Sequence, residues 1–182
     1  MLRFLPQSLA AAGATSLLLL AVAATSVPVK SVRAQSGFVL SGAADRNRVL
    51  RYSLDDGTAR SRDRYKLTLP AQEVAVAEIQ VSFEQKFDGR IDPDRVRVEV
   101  DREEAEVDEI FWSPEFNSLE VVMADPIPAG QRMQVILPGA RNPSDSGFYR
   151  IQGRVLGTEA NPIFRYVGEW IVTIDTKASQ RN

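Results

Sequence analysis

Carboxylate side chains are the residues of this sequence whose types and spacing could do chemistry. Acids alternate through the stretch 99–109, and a second group surrounds Gly89 in the stretch 88–94. Dense carboxylate oxygens are the ligands that Ca²⁺ prefers, provided that they converge from a tight turn. The candidate metal ligands in the two stretches are Asp88, Asp92, Asp94, Asp101 and Glu103.

Both acidic stretches also have a simpler interpretation. The acids of 99–109 alternate along what the pattern predicts to be two strands and a hairpin, which spreads the carboxylates over a solvated surface. The stretch 88–94 lacks the distal bidentate Glu of a helix-loop-helix calcium site. We therefore expect no bound metal and no cofactor, and a calcium-binding module remains an alternative.

The residue types that are missing exclude most catalytic mechanisms. The 182 residues include no His and no Cys, so Ser-His-Asp triads, thiolate nucleophiles and His-built or Cys-built metal centres are excluded. A carboxylate pair could still cleave a glycosidic bond, and a carboxylate-dependent hydrolase of envelope glycans is the enzymatic alternative. Because no pair is singled out by its spacing, we predict a protein without catalytic residues.

Two segments contain side chains that could contact a partner. Trp112 and Phe116 belong to an aromatic-rich turn, 111–116, that could present a stacking platform to a sugar or a protein. Packing in the core is the alternative for both. Arg141 and Asn142 begin a polar loop, 141–147, in which side chains commonly cap backbone groups.

The first 34 residues predict export from the cytoplasm. They contain no Asp or Glu, carry Arg3 near the start, and are almost wholly apolar or small over 9–24. This pattern is typical of a secretory signal peptide, 1–34, cleaved after Ala34 or, as a weaker alternative, after Ala24. An uncleaved segment would be an N-terminal membrane anchor, and it is the sole membrane contact that we expect.

The charge of the exported part argues against a nucleic-acid partner. Removing Arg3, Lys30 and Arg33 leaves 19 basic and 24 acidic side chains, a net charge of −5. Nucleic-acid binding requires a basic balance and a basic face. The arginines of 46–64 are interleaved with aspartates, a pattern more typical of surface ion pairs than of a site for phosphate or anionic lipid.

Period-two alternation predicts the elements that position these residues. Tyr65, Leu67 and Leu69 share one face, as do Ile79, Val81 and Phe83, and in 95–101 the valines alternate with charges. Further strands are predicted at 49–54, 107–112, 119–123, 133–137, 148–156 and 166–174, with proline-containing turns at 125–130 and 138–139. Eight or nine short strands predict an all-β, antiparallel, immunoglobulin-like β-sandwich. The predicted organisation is a loose arm at 35–45, one sandwich domain at 46–175 and a frayed C-terminus at 176–182.

The order of several segments resembles a cyanobacterial exported family known as domain of unknown function 2808. The resembling segments are Tyr-Lys-Leu-Thr-Leu-Pro at 65–70, Phe-Asp-Gly at 87–89, Asp-Pro-Ile-Pro-Ala-Gly at 125–130 and Arg-Asn-Pro-Ser at 141–144, which leads into Gly-Phe-Tyr at 147–149. The resemblance implies an exported β protein of the periplasm or thylakoid lumen and supplies no catalytic residues. We therefore expect a binding or structural module of the cell envelope or thylakoid lumen, whose partner is an unidentified protein or glycan.

Overall fold

The computed structural model describes residues 48–176. The predicted signal peptide 1–34, the predicted arm 35–45 and all but Thr176 of the predicted frayed C-terminus lie outside the described residues. In the part of the chain that the structure describes, no helix is long and apolar enough to cross a membrane.

The described residues form ten β-strands and one short 3-10 helix, Pro93–Arg95. The strands, in chain order, are β1 Tyr52–Ser53, β2 Arg62–Leu69, β3 Val76–Phe83, β4 Arg97–Val100, β5 Glu103–Ala105, β6 Val107–Ser113, β7 Ser118–Ile127, β8 Met133–Arg141, β9 Gly147–Gly157 and β10 Arg165–Ile174. The count exceeds the predicted eight or nine because β5 has three residues, two of them glutamates, and too few positions to show an alternation.

The strands form two five-stranded sheets. The first sheet has the order β1-β2-β8-β4-β5, and the second has the order β10-β9-β3-β7-β6. Every pair of neighbouring strands is antiparallel. The prediction of an all-β antiparallel sandwich is confirmed.

The core lies between the inward faces of the two sheets. Tyr65, Leu67 and Leu69 of β2 are fully buried there, as the alternation predicted, together with Ile79 and Val81 of β3. Apolar side chains at every second position remove one face of each sheet from water, which is the main favourable contribution to folding. The opposite faces remain available for binding.

The prediction for 95–101 is correct for its centre and wrong at its ends. Val96 and Val98 are buried and Arg97 is exposed, but Arg95 belongs to the 3-10 helix and not to a strand. Val100 and Glu99 are both half-buried. Glu99 lies between Gln134 and Glu104 in the middle of the first sheet, so its neighbours cover part of a side chain that was predicted to be exposed.

The predicted turn at 125–130 begins too early, because β7 continues to Ile127. The register between β3 and β7 moves from Glu78 opposite Val122 to Val76 opposite Ile127, which places Pro126 in a bulge. A bulge tolerates proline because it interrupts the ladder of N–H donors that proline lacks.

The predicted turn at Pro138 and Gly139 is also wrong, because β8 continues to Arg141. β4 pairs with β8 only as far as Ile136, and the register with β2 moves from Arg64 opposite Pro138 to Asp63 opposite Ala140, which leaves Gly139 of β8 as a bulge. The proline therefore lies where β8 has lost one neighbour and the other is irregular, the setting in which a sheet accepts it.

The register of β4 can be tested with one substitution on each face. Val98→Asp places an unpaired carboxylate in the core and should lower the free energy of unfolding by about 3 kcal/mol or more. Arg97→Asp introduces the same side chain at an exposed position whose ion pair with Glu104, at 3.7 Å, is also exposed, so the loss should be below about 1 kcal/mol. Urea denaturation of both variants measures the difference, and equal losses would contradict the register.

Candidate functional site

A groove of about 820 Å³ lies on the outer side of the first sheet. It is found where β2 ends, β4 ends and β8 begins, and the segment 49–51 forms part of its wall. Thr68 and Gln134 lie side by side across the β2–β8 pair, and the Gln134 amide donates a 3.0 Å hydrogen bond to the Thr68 hydroxyl. The groove has the volume of sites that hold small ligands.

Three arginines, Arg51, Arg102 and Arg132, line the groove and are exposed. The ion pairs among residues 48–176 join Arg64 to Asp55, Lys86 to Glu84, Arg97 to Glu104 and Arg165 to Glu159, so the groove arginines take part in none of them. Glu99 and Asp101 line the same groove. Its walls therefore combine an excess of guanidinium donors with carboxylate acceptors.

The turn between β4 and β5 positions one of these arginines in a strained backbone conformation. Asp101 has φ = 49° and Arg102 has φ = 80°, and Val100 pairs with Glu103 across them. Two left-handed residues in a two-residue hairpin form a type I′ turn, which favours Gly at the second position. Arg102 occupies that position at a cost of about 1 kcal/mol.

Arg132 holds the turn in place through its backbone. The Asp101 N–H donates to the Arg132 carbonyl at 3.0 Å, and the Asp101 carboxylate accepts from the Arg132 N–H at 3.3 Å. The reciprocal hydrogen bonds fix the strained turn against the start of β8. They leave the guanidinium groups of Arg102 and Arg132 free to project toward the groove.

The predicted metal candidates lie in two separate segments. Asp101 and Glu103 belong to the β4–β5 turn and to β5, while Asp88, Asp92 and Asp94 lie between β3 and β4. Asp88 accepts a 2.9 Å hydrogen bond from the Ser144 N–H, and bonding to Ser144 holds the pKa of Asp88 below its usual range. Among residues 48–176, no three His, Cys, Asp or Glu side chains form a group that could hold a metal ion.

The structure separates the two predicted aromatic contacts. Trp112 points toward the core, where its ring packs edge-to-face against Phe83 with centroids 5.7 Å apart. Phe116 lies in the turn between β6 and β7 and is 78% exposed. Phe116 alone of the pair is available to a partner.

The structure also separates Arg141 from Asn142. Arg141 is exposed, and its backbone pairs with that of Arg90. Asn142 is 2% exposed, and its amide accepts from the Tyr65 hydroxyl at 2.6 Å and donates to the Asp63 carboxylate at 3.0 Å. Both polar atoms of the Asn142 side chain form hydrogen bonds within the protein, so this side chain is not available to a partner.

Asn142 belongs to a buried network centred on the carboxylate of Asp63, which is 4% exposed. That carboxylate also accepts hydrogen bonds of 2.6–3.2 Å from the backbone N–H groups of Asp55, Asp56, Gly57 and Arg64. Burial by itself raises the pKa of Asp63, but the bond from Asn142 and the backbone bonds outweigh burial and hold the pKa below its usual range.

Sequence reasoning missed most of the groove. In the sequence, Arg51 is one of several arginines interleaved with aspartates. Neither Arg102 nor Arg132 belongs to a pattern that predicts a binding residue. Asp101-Arg102 lies between two acidic strands, and this position could have indicated a two-residue hairpin. Such a hairpin would place Arg102 in the left-handed region of backbone conformation. Only the pairing of β4 with β8 brings Arg132 beside it.

The Asp63 network predicts a specific dependence of stability on pH. Since the folded-state pKa lies below the unfolded value of about 3.9, the ionised carboxylate stabilises the fold above that pH, and its contribution is lost as the pH falls through the folded-state pKa. Asp63→Asn places an amide N–H donor against backbone N–H donors. We expect it to lower the free energy of unfolding by about 2–4 kcal/mol at neutral pH. It should also flatten the acid dependence below about pH 4.

Urea denaturation at neutral pH and at about pH 3 measures both effects. Asp55→Asn is the matched control, because the Asp55 carboxylate is exposed while its backbone N–H remains in the network. An acid dependence that is as steep in Asp63→Asn as in the unaltered protein would contradict the assignment.

Calcium can be tested directly on the predicted ligands. A real site would stabilise the folded state by about 2.7 kcal/mol at a hundredfold excess over the dissociation constant. We expect melting temperatures in chelator and in millimolar Ca²⁺ to agree within a few degrees, because the acids are spread along a surface. A larger rise that disappears in Asp101→Asn with Glu103→Gln would show that the turn binds the ion.

Solved structures that resemble this chain are β domains of low identity. BslA, a bacterial hydrophobin, is 12% identical, with a TM-score of 0.48 over 72% of this chain and 95% of that chain. A collagen-binding domain from a Staphylococcus aureus adhesin is 9% identical, with a TM-score of 0.41 over 74% and 100%. An uncharacterised Nocardia farcinica protein with an immunoglobulin-like fold is 15% identical, with a TM-score of 0.39 over 70% and 98%.

The sequence matches one family over most of its length. Comparison with curated proteins found no match. Residues 39–174 match a family that is described as a protein of unknown function, DUF2808. That match includes every strand described above. The chain therefore belongs to the DUF2808 family.

Proposed function

We propose that this protein is an exported, non-catalytic binding module of the cell envelope or thylakoid lumen, and that its ligand is an acidic glycan bound in the arginine-lined groove. In this proposal 1–34 is the signal peptide and 46–175 is the single binding domain. The groove carries the proposal, because Arg51, Arg102 and Arg132 surround it without an ion pair among the described residues.

The mixture of charges favours an acidic sugar over a simple anion. Glu99 and Asp101 would repel a phosphate or sulfate placed between the arginines. A sugar that bears both hydroxyls and a carboxylate would satisfy both kinds of group, since hydroxyls donate to carboxylates and a sugar carboxylate accepts bidentate bonds from arginine. Thr68 and Gln134 add neutral partners for hydroxyls.

The described residues give no support to a hydrolase. The buried acids among them are Asp63 and Glu169, which lie on β2 of the first sheet and β10 of the second. Asp63 already accepts five hydrogen bonds. Neither lines the groove, and the acids that do, Glu99 and Asp101, are half-buried and exposed, so the groove has no buried carboxylate pair and its geometry favours binding.

Affinity electrophoresis in gels containing polygalacturonate, with dextran as the neutral control, tests the proposal. The unaltered protein should be retarded by polygalacturonate alone. Arg132→Ala and Arg102→Gly should each weaken binding about tenfold, because each removes a charge-assisted contact. Arg102→Gly also relieves the left-handed backbone, so it should bind less tightly without a loss of stability.

Arg62→Ala is the matched control. Arg62 is an exposed arginine on β2, six residues before Thr68 and so about 20 Å from the groove. Its replacement should leave the retardation unchanged. Equal retardation of the Arg132→Ala variant and the unaltered protein, or equal retardation by dextran, would refute the proposed site.

A further inference from the structure

Apolar side chains are exposed around the hairpin that joins β9 to β10. Ile163 is 73% exposed, and Phe164 and Tyr166 follow it at 36% and 37%. Val49, which pairs with Glu169 of β10, is also exposed. We call Ile163, Phe164 and Tyr166 the apolar tip. Two adjacent large apolar residues in a loop tip are a feature of surfaces that contact a partner or a membrane.

The outer face of β9 carries exposed arginines, with Phe148 at the end of the strand that is far from the tip. Tyr149, Ile151 and Val155 point into the core, so the alternate positions Phe148, Arg150 and Arg154 point outward. Phe148 is 65% exposed. The outward side of β9 therefore has two arginines, with Gln152 between them.

Two arginines lie beside the ring of Tyr166. The guanidinium carbon of Arg48 lies 5.5 Å from the ring centroid, and Arg154 is opposite Tyr166 in the β9–β10 register. Burial raises the pKa of Tyr166, with a contribution from Glu169, whereas Arg48, Arg150 and Arg154 act in the opposite direction. Arg150 lies on the same outward side of β9, four residues before Arg154.

Arg48, Arg150 and Arg154 form no ion pair among the described residues, whereas Arg165 is paired with Glu159 and Lys86 with Glu84. Glu169 is the remaining acid beside Tyr166, and it is buried. The exposed charged side chains on β9 and beside Tyr166 are therefore arginines, whereas Glu78 of the neighbouring strand β3 is half-buried.

We propose that this face docks on an anionic lipid surface, with Ile163 and Phe164 inserted among the headgroups and Arg48, Arg150 and Arg154 opposite the lipid phosphates. Charge complementarity favours an anionic lipid surface as the partner. Exposed apolar side chains can enter the acyl region, while unpaired arginines lie opposite the negative headgroups. Tyrosine with arginine stacked on it suits the boundary between the two. Ile163, Phe164, Arg150 and Arg154 do not line the groove, so substituting them should leave ligand binding there unchanged.

Co-sedimentation with lipid vesicles tests the proposal. The protein is purified in the form in which the cell exports it. The vesicles are equal parts of phosphatidylglycerol and phosphatidylcholine, with pure phosphatidylcholine as the neutral comparison. The unaltered protein should bind the anionic vesicles more tightly. Ile163→Asp with Phe164→Ser should lower that binding at least about tenfold, since it removes the inserted side chains and adds a repelled charge.

A second variant separates charge from insertion. Arg150→Gln with Arg154→Gln should abolish the preference for anionic over neutral vesicles and leave the melting temperature unchanged, because both side chains are exposed. Phe116→Ser is the control, since Phe116 is more exposed than Ile163 but lies in the β6–β7 turn. It should bind as the unaltered protein does.

Three results would overturn the proposal. The first is no sedimentation of the unaltered protein with anionic vesicles, and the second is equal sedimentation of the tip variant. The third is self-association that the tip variant abolishes while vesicle binding persists, which would make a second copy the occupant. Retardation by polygalacturonate should be unchanged in the tip variant, so a failure here is distinct from a failure of the proposed glycan site.

Discussion

The carboxylate of Asp63 accepts hydrogen bonds from four backbone N–H groups and from Asn142 at the point where β2, the end of β8 and the loop 54–61 meet. Residues of that loop also bond across to the second sheet, since the Ala59 N–H donates to the Asp175 carbonyl and the Asp175 N–H donates to the Gly57 carbonyl. A buried charge needs such donors to remain ionised. By collecting them, Asp63 fixes the loop that joins the two sheets at this end.

With the sheets joined in this way, the two outer faces are left with different chemistry. The first sheet has the groove, where the guanidinium groups of Arg51, Arg102 and Arg132 lie near carboxylates and neutral polar groups. The second sheet has exposed arginines on β9 and exposed apolar side chains at the β9–β10 hairpin. A sandwich buries only its inner faces, so each outer face can change without cost to the core. The proposed glycan site and the proposed lipid-docking face both rest on this difference.

Arginines interleaved with aspartates have more than one role here. The sequence pattern in 46–64 predicted ion pairs, and Arg64 with Asp55 is such a pair, at 3.8 Å. Arg48 instead stacks on Tyr166, and Arg51 lines the groove. Exposed ion pairs contribute little to the free energy of unfolding, so leaving an exposed arginine unpaired costs the protein little stability. Unpaired arginines beside a concave or apolar surface are therefore the more informative positions.

Local pattern predicted every strand except β5 and most of the buried positions, because alternation along a strand requires no knowledge of its neighbours. It determined the inward positions of Leu67 and Val81, and the absence of His and Cys determined which mechanisms are excluded. Long-range pairing decided the rest. Asn142 is buried because it meets Asp63, 79 residues earlier in the chain. The groove exists because β8 lies between β2 and β4. Such contacts join segments that are far apart in the sequence, and no local pattern predicts which segments will pair.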